Sequence, residues 1–298
     1  MTLHERLADA RARLVASGIR PAEAALDVDL YARRILGWDR ARLLAAQHEP
    51  VPLQLEPRFS EWIARRERRE PSAYITGVRE FWGLAFMVTP AVLIPRPETE
   101  FIVEEVLGLL RAGGLKASGC HDGPRVADIG TGSGCVAVAI AHECRACRLV
   151  ATDISTEALA VARANAARHG VADRIGFVAA RYLDGIAGRF DVIAANPPYV
   201  RDGDKPVLAA DVRYEPDVAL FGGAEGLRDI AGVLDAALGG LDSGGWLVME
   251  FGYGQQEHVE ALVAARPGLE IARVREDLQG IPRTAIIRRG PQRARALG

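Results

Sequence analysis

No stretch of this chain approaches the roughly 20 consecutive apolar residues of a membrane-spanning helix, which excludes a helical membrane protein as a reading of the sequence. The opening residues, Met1-Thr2-Leu3-His4-Glu5-Arg6, carry no apolar signal region, so no membrane association and a cytoplasmic location are expected. Net charge is nearly absent: 37 basic against 39 acidic side chains leave −2. That balance excludes a general electrostatic pull toward nucleic acid or anionic membrane. Cysteine is scarce, with four residues at 120, 135, 144 and 147. A structural zinc needs four ligands, usually supplied as two close pairs, and only Cys144 and Cys147 are so spaced. Unpaired thiols in a reducing cytosol are therefore expected. The six histidines fall in no H-E-x-x-H or paired spacing, so no residue is assigned to a metal. What is present is apolar residue, 49% of 298, enough for a full core in one large or two ordinary domains.

The most informative run is Asn196-Pro197-Pro198-Tyr199, at the end of the strand-like segment Phe190-Asp191-Val192-Ile193-Ala194-Ala195. Such a turn sets a side-chain amide, a carbonyl without a competing N–H and an aromatic face close together. These groups suit a planar NH2 beside a carbonyl or ring. The Asn196 oxygen and a prolyl carbonyl each accept one N–H, and Tyr199 covers the plane. The nitrogen is then held by both hydrogens with its lone-pair direction open to an electrophile. The competing reading is a proline-rich turn that merely closes a strand.

Upstream, Val126-Ala127-Asp128-Ile129 runs into Gly130-Thr131-Gly132-Ser133-Gly134 and then a helix. Glycine permits a sharp turn and close approach of backbone to ligand, and free N–H groups at the helix start favour an anionic group. A dinucleotide fingerprint would read G-x-G-x-x-G. Here the third glycine comes one residue early and Cys135 holds the position the fingerprint needs. The next strand ends in Asp153, about twenty residues on, where an acid can bind both ribose hydroxyls. This combination looks like an S-adenosylmethionine site. A tight turn with no ligand, and Asp153 as a cap for the helix at Ser155, are the structural alternatives.

From Arg125 onward strands and helices alternate. Strands are predicted at 125–129, 148–152, 174–179, 190–195, 244–251, 269–275 and 283–289, and helices near 134–145, 155–169, 226–240 and 254–265. Such alternation implies an α/β fold with a largely parallel sheet covered on both faces. The link from Glu276 to Pro282 is too short for a parallel crossover, so the last two strands should run antiparallel. Residues 3–70 read as helices, with Leu7, Ala10, Leu14 and Val15 at helical spacing. The run Arg65-Arg66-Glu67-Arg68-Arg69 reads as a solvated helix face, with contact to an acidic partner as the alternative. Residues 78–92 alternate around Trp82-Gly83, as in a hairpin.

Together these segments resemble the release factor glutamine methyltransferases, the HemK family. Pro71-Ser72-Ala73-Tyr74-Ile75-Thr76-Gly77, Arg79-Glu80-Phe81-Trp82-Gly83-Leu84, Leu93-Ile94-Pro95-Arg96-Pro97-Glu98-Thr99-Glu100 and Asp211-Val212-Arg213-Tyr214-Glu215-Pro216 carry the likeness alongside the two motifs above. The resemblance implies a class I methyltransferase fold: a Rossmann-like, seven-stranded mixed sheet with its last strand antiparallel, preceded by a small helical domain and a β-hairpin linker. It implies an N-terminal substrate-recognition domain at 1–75, a linker at 76–95, a catalytic domain at 96–290 and a disordered tail at 291–298. It also implies methyl transfer from S-adenosylmethionine to the side-chain nitrogen, N5, of the glutamine in the Gly-Gly-Gln segment of class I peptide chain release factors.

On this reading Gly130, Thr131, Gly132, Ser133 and Gly134 wrap the methionine part of the cofactor, and Asp153 binds the ribose. Asp128 shapes the turn or meets the cofactor ammonium. Tyr182 stacks on adenine or simply packs. The family's acid before that aromatic is here Arg181, which cannot accept from the adenine amino group; Asp184 or a backbone carbonyl would substitute. Asn196, Pro197, Pro198 and Tyr199 hold the substrate, and Asn196 also borders the cofactor. Asn196, Pro197 and Tyr199 carry the chemistry, with Asn196 as a positioner rather than a base. Asn196→Ala should lose most activity, whereas Asn196→Asp, which keeps an acceptor, should retain some. Arg96, Glu98 and Thr99 either line the substrate entrance or have a capping or interdomain role, and Glu250 ends a strand near the ligand edge. A monomer without direct nucleic-acid contact is expected. Glutamine methylation of a ribosomal protein, adenine-N6 methylation and an inactive cofactor-binding scaffold are the alternative functions.

Overall fold

The computed structural model describes residues 1–112 and 123–290. The chain forms two compact units, one of Met1–Gly77 with Ala209–Tyr214, the other of Val78–Leu208 with the residues from Glu215 onward. The tail at 291–298, expected to be disordered, and Cys120 with His121 lie outside the described residues.

The first unit is helical: α1 (Leu3–Ala16), α2 (Pro21–Leu36), α3 (Arg40–Ala45), α4 (Arg58–Glu67) and α5 (Ser72–Thr76). Thr2 and Glu5 close a capping box at the start of α1, satisfying two otherwise unpaired N–H groups. Gly37, at φ 67°, ends α2 in the left-handed conformation. Leu3, Leu7, Ala10 and Leu14 of α1 meet Val28 and Tyr31 of α2 and Phe59 and Ile63 of α4 in one core. The basic run at the end of α4 is not a solvated face. Arg66 is 1% exposed. Its guanidinium donates to Asp27 Oδ2 at 2.7 Å, to Asp211 Oδ2 at 2.8 Å and to Glu23. Arg69 donates to Asp211 Oδ1 at 2.8 Å and Arg65 to Glu70 Oε2 at 2.8 Å. The partners of Arg66 and Arg69 come from α2 and from residue 211, distances in sequence that charge patterning cannot see.

The second unit opens with a hairpin of β1 (Val78–Phe81) and β2 (Leu84–Met87), antiparallel. Its turn residues Trp82 and Gly83 have φ of 55° and 68°, the left-handed pair that a two-residue turn needs to match strand twist. Then follow α6 (Glu100–Arg111), β3 (Arg125–Ile129), α7 (Cys135–Glu143), β4 (Arg148–Asp153), α8 (Thr156–Arg168), β5 (Ile175–Ala179), β6 (Phe190–Ala195), α9 (Asp217–Leu220), α10 (Arg228–Gly240), β7 (Leu241–Glu250), α11 (Gln256–Ala264), β8 (Leu269–Glu276) and β9 (Pro282–Arg289). The seven strands order as β5-β4-β3-β6-β7-β9-β8, with β9 antiparallel to both its neighbours and the other pairings parallel. The strand expected at 244–251 begins instead at Leu241, because Leu241 pairs with Phe190 and Trp246 with Val192, and the residues between form a bulge.

Alternation along the strands sorts the core into two layers. Val126, Leu149, Ala151, Val192, Ala194 and Val248 face α6 and α7. Ala127, Ile129, Ile193, Ala195, Leu247 and Met249 face α10 and α11. Burial on both faces is why β6 reads as a continuous apolar run. The expectation of free thiols fails for one pair: Cys144 and Cys147 form a disulfide, with Cα atoms 5.5 Å apart. The tight turn that ends α7, in which Cys147 N–H donates to Cys144 O at 3.2 Å, folds one cysteine back onto the other. Cys135 is free and buried.

Candidate active site

Register collects the motifs. Ile129 pairs with Thr152 on one side and Ala195 on the other, and Asp153 pairs with Ala179. Gly130, Asp153, Ala180 and Asn196 therefore follow one another along the C-terminal edge of four adjacent strands. The chain leaves β3 toward β4 on one side and reaches β6 on the other, and a crevice opens where the direction of strand order switches. A cavity of about 480 Å³ lies there, within the second unit. Its wall includes Gly130, Thr131, Gly132, Ser133, Asp153, Tyr182, Asn196, Pro197 and Pro198. Residues 130, 153 and 196 are thus brought together by sheet register, and Tyr182 joins them from the turn after β5.

The glycine turn is held from below. Gly130 N–H and Thr131 N–H both donate to Thr152 O, at 2.8 and 2.9 Å. Gly130 and Gly132 have φ of 71° and 53°, which is why the loop needs glycine at these positions. Gly134, at φ 79°, shares that conformation and has a second task. It does not line the cavity; a Cβ there would sit 3.0 Å from the Ala162 Cβ, so its bareness lets α7 pack against α8.

Two carboxylates flank this turn. Asp153 Oδ2 accepts from Gly132 N–H and Oδ1 from Ser155 N–H, each at 2.9 Å. Each oxygen keeps lone-pair capacity for a further donor. The capping of α8 belongs to Ser155, whose Oγ accepts from Ala158 N–H at 3.1 Å. Asp128 is 2% exposed. Its Oδ2 takes both the Thr131 hydroxyl, at 2.6 Å, and Ala137 N–H, at 3.2 Å. Burial pushes its pKa up to about 6, against the pull of those two donors.

On the β5 side, Tyr182 has φ 50°, and its carbonyl accepts from the Thr152 hydroxyl at 2.7 Å. Its phenol donates to Asp229 Oδ1 at 2.9 Å, and the ring lies so near Gly232 that a Cβ there would meet it at 2.1 Å. Arg181 lies over that ring, 5.3 Å from its centroid, and 3.8 Å from Asp229 Oδ1. Arg228 pairs with Asp229 Oδ2 at 2.8 Å. Asp184 is absent from the cavity wall; the carboxylate on this side is Asp229. Sequence reasoning missed it because it opens α10, 47 residues beyond Tyr182, and no motif marks it.

The Asn-Pro-Pro-Tyr turn divides in two. Asn196, Pro197 and Pro198 face the cavity, while Tyr199 is set behind its wall and donates to Glu250 Oε1 at 3.0 Å. Burial, and then the Glu250 charge, raises the Tyr199 phenol above its ordinary value. The Asn196 amide Nδ2 donates to Thr99 Oγ1 at 3.0 Å, and the Thr99 hydroxyl donates to Glu250 Oε2 at 2.8 Å. Thr99 and Arg96 line the cavity and Glu98 does not. Arg96 is paired with Glu215, which also accepts Ile94 N–H at 3.0 Å. Among the described residues, no cluster of three or more His, Cys, Asp or Glu could hold a metal ion.

Residues 5–77 match the family described as PrmC N-terminal domain, and residues 115–212 match the Methyltransferase small domain. The chain is 39% identical over 283 residues to a release factor glutamine methyltransferase of Bradyrhizobium diazoefficiens, covering 94% of each chain. It is 41% identical over 271 residues to one of Moorella thermoacetica, covering 89% of this chain and 90% of that one. Among solved structures, the hMettl16 catalytic domain, in complex with an RNA hairpin, aligns with TM-score 0.57 at 16% identity over 76% of this chain and 82% of that one. A methyltransferase from Pyrococcus furiosus aligns with TM-score 0.51 at 19% identity over 78% of this chain and 99% of that one. At those identities the structures speak for the fold alone.

Proposed function

The chain belongs to the release factor glutamine methyltransferase family, and from that premise we propose how its residues divide the work. The enzyme transfers a methyl group from S-adenosylmethionine to N5 of the glutamine in the Gly-Gly-Gln segment of class I peptide chain release factors. S-adenosylmethionine supplies an electrophilic methyl on a sulfonium sulfur. The glycine turn, Gly130 to Ser133, receives its methionine part, Asp128 the ammonium, Asp153 the ribose hydroxyls and Tyr182 the adenine face. The spare acceptor capacity of Asp153 and the buried Asp128 carboxylate fit a ligand rich in donors.

An amide nitrogen is a poor nucleophile because its lone pair is delocalised into the carbonyl. The site must hold it in line with the methyl, and orientation of that kind supplies roughly 7–11 kcal/mol in favourable cases. Asn196 Oδ1 and the Pro197 carbonyl each accept one hydrogen of the substrate NH2. Both acceptors grow more favourable as the nitrogen becomes positive. The proton leaves after methyl transfer, so no side chain acts as a base beforehand. Tyr199, fixed to Glu250, backs the turn from behind.

The observation that carries this division is the placing of Asn196, Pro197 and Pro198 in the same cavity as Gly130, Gly132 and Asp153. The functional segments are proposed as 1–75 for binding the protein substrate, 76–95 as a linker and 96–290 for catalysis. By its contacts the hairpin at 78–87 goes with the catalytic part. No helix of the described residues is long and apolar enough to cross a membrane. We propose that the enzyme works in the cytoplasm, as a monomer and without binding nucleic acid; the formal charge of −2 supports the last point. The test is transfer of labelled methyl to release factor, a glutamine-bearing ribosomal protein and DNA side by side. Peptide mass spectrometry should find one added methyl on the Gly-Gly-Gln glutamine. Labelling of DNA or ribosomal protein in place of release factor overturns the substrate assignment.

A further inference from the structure

The Asn196 side chain has two faces of similar shape, an oxygen that accepts and an NH2 that donates. Only the oxygen serves a substrate NH2; with the amide turned over, donor would face donor. Nothing in the Asn-Pro-Pro-Tyr turn itself chooses between the two. The choice falls to the hydrogen-bond partners behind the amide, beginning at Glu250.

Glu250 ends β7 and is 2% exposed. Met249 pairs with Ala195 in the sheet, so Glu250 stands beside Asn196 at the same edge. An ionised carboxylate only accepts. Both its oxygens are met by hydroxyls, Oε2 by Thr99 at 2.8 Å and Oε1 by Tyr199 at 3.0 Å. Burial, and to a lesser degree the Glu98 charge, raises the Glu250 pKa against the pull of the two hydroxyl donors and Arg283; the order of donation follows from the hydrogen-bond geometry. Thr99 is 3% exposed, fixed where the turn Pro97–Thr99 runs into α6. A hydroxyl has one proton, and that of Thr99 is committed to Glu250. Thr99 Oγ1 has only lone pairs left for Asn196, 3.0 Å away. The NH2 of Asn196 is the group that can meet them.

We infer that Glu250 and Thr99 are positioning residues that set the orientation of the Asn196 amide, turning Oδ1 into the cavity as the acceptor for the substrate nitrogen. This rests on the reading of the chain as a glutamine methyltransferase. The order of donation is Thr99 to Glu250 and Asn196 to Thr99, leaving Oδ1 as the free acceptor. Thr99 and Glu250 need not touch substrate to act. Their removal leaves the amide free to turn over and its NH2 unpaired.

The test uses the full chain with release factor as substrate, and the conservative variants separate hydrogen bonding from packing. Thr99→Val keeps the shape and loses the hydroxyl; Thr99→Ser keeps the hydroxyl and loses a methyl. Expected for Thr99→Val is a fall in kcat of about 10- to 100-fold, the scale of one lost buried hydrogen bond, with KM for release factor and affinity for the demethylated cofactor within about threefold. Thr99→Ser should keep kcat within about threefold of the parent. A merely structural Thr99 gives the opposite order, with Val active and Ser impaired, and that result overturns the inference. Glu250→Gln is the second probe. Its amide has one oxygen for two hydroxyls; with its NH2 toward Thr99, the Thr99 proton is freed to face Asn196 Oδ1, and kcat should fall with cofactor affinity retained. The parent enzyme, run alongside, separates the two levels: a parent that leaves release factor unmethylated refutes the substrate reading, whereas an active parent with an active Thr99→Val refutes only the positioning role.

Discussion

Replacing Asn196 exposes the mechanism most directly. In Asn196→Ala the substrate NH2 loses one of its two acceptors and keeps the Pro197 carbonyl. Loss of one preorganised hydrogen-bond partner typically costs about 10²–10³ in rate, or about 2.7–4 kcal/mol. Cofactor affinity should change far less, because Gly130, Gly132 and Asp153 keep their own bonds around the turn. Asn196→Asp is the sharper variant, and here the structure reverses the expectation from sequence. The introduced carboxylate retains an acceptor for substrate, but it also turns an oxygen toward Thr99 Oγ1, where the amide NH2 sat at 3.0 Å. The Thr99 proton is committed to Glu250, so acceptor would face acceptor, with the Glu250 carboxylate next in line. The new side chain must twist away or take up a proton. Activity of this variant should fall to that of the alanine variant or below. Single-turnover transfer of labelled methyl, with product-cofactor affinity measured by calorimetry, separates rate from binding. Near-normal turnover in Asn196→Ala with normal cofactor binding refutes the positioning mechanism, and Asn196→Asp clearly faster than Asn196→Ala refutes the hydrogen-bond argument for Thr99.

Asp153→Ala should weaken cofactor binding by about 1.5–3 kcal/mol, the range for hydrogen bonds to a charged group; unchanged affinity in a folded variant, read by calorimetry, removes Asp153 from the site. Asp128 has its pKa raised to about 6 by burial, so its charge is present above that pH and lost below it. Cofactor affinity should fall as pH drops through about 6, and Asp128→Asn should be weaker at pH 7 and flat across this window; a parent profile without a step there excludes the ammonium contact. The same raised pKa means that folding favours protonated Asp128, a contribution to stability present below the ordinary carboxylate range and lost as pH rises through about 6. Arg66→Met leaves Asp27 and Asp211 without their shared cation and should destabilise the helical unit by about 3–5 kcal/mol, the cost of breaking a buried pair from one side; a loss under about 1 kcal/mol on denaturant titration would show that the acids relax to solvent.

Much of this protein is legible in its sequence because its site is built from strand ends. A strand that runs into glycines, a second that ends in Asp153 and a third that ends in Asn196 each declare their place locally, through alternation and turn chemistry. A parallel sheet then has to bring such ends to one edge. The antiparallel last strand was likewise legible, since seven residues from Glu276 to Pro282 cannot make a parallel crossover. Tertiary structure alone decided the rest. It gave Gly134, already a turn residue at φ 79°, a packing role as well, because only the approach of α8 sets the room at its Cα. It placed Asp229 rather than Asp184 at the cavity wall, and set Tyr199 against Glu250 instead of in the cavity. It buried Arg66 among acids from two separate segments, α2 and the stretch around residue 211. It also joined Thr99 to Asn196 across 97 residues and to Glu250 across 151. Strand ends and turns are written in neighbouring residues; which donor meets which acceptor depends on distances that exist only once the sheet and its helices have packed.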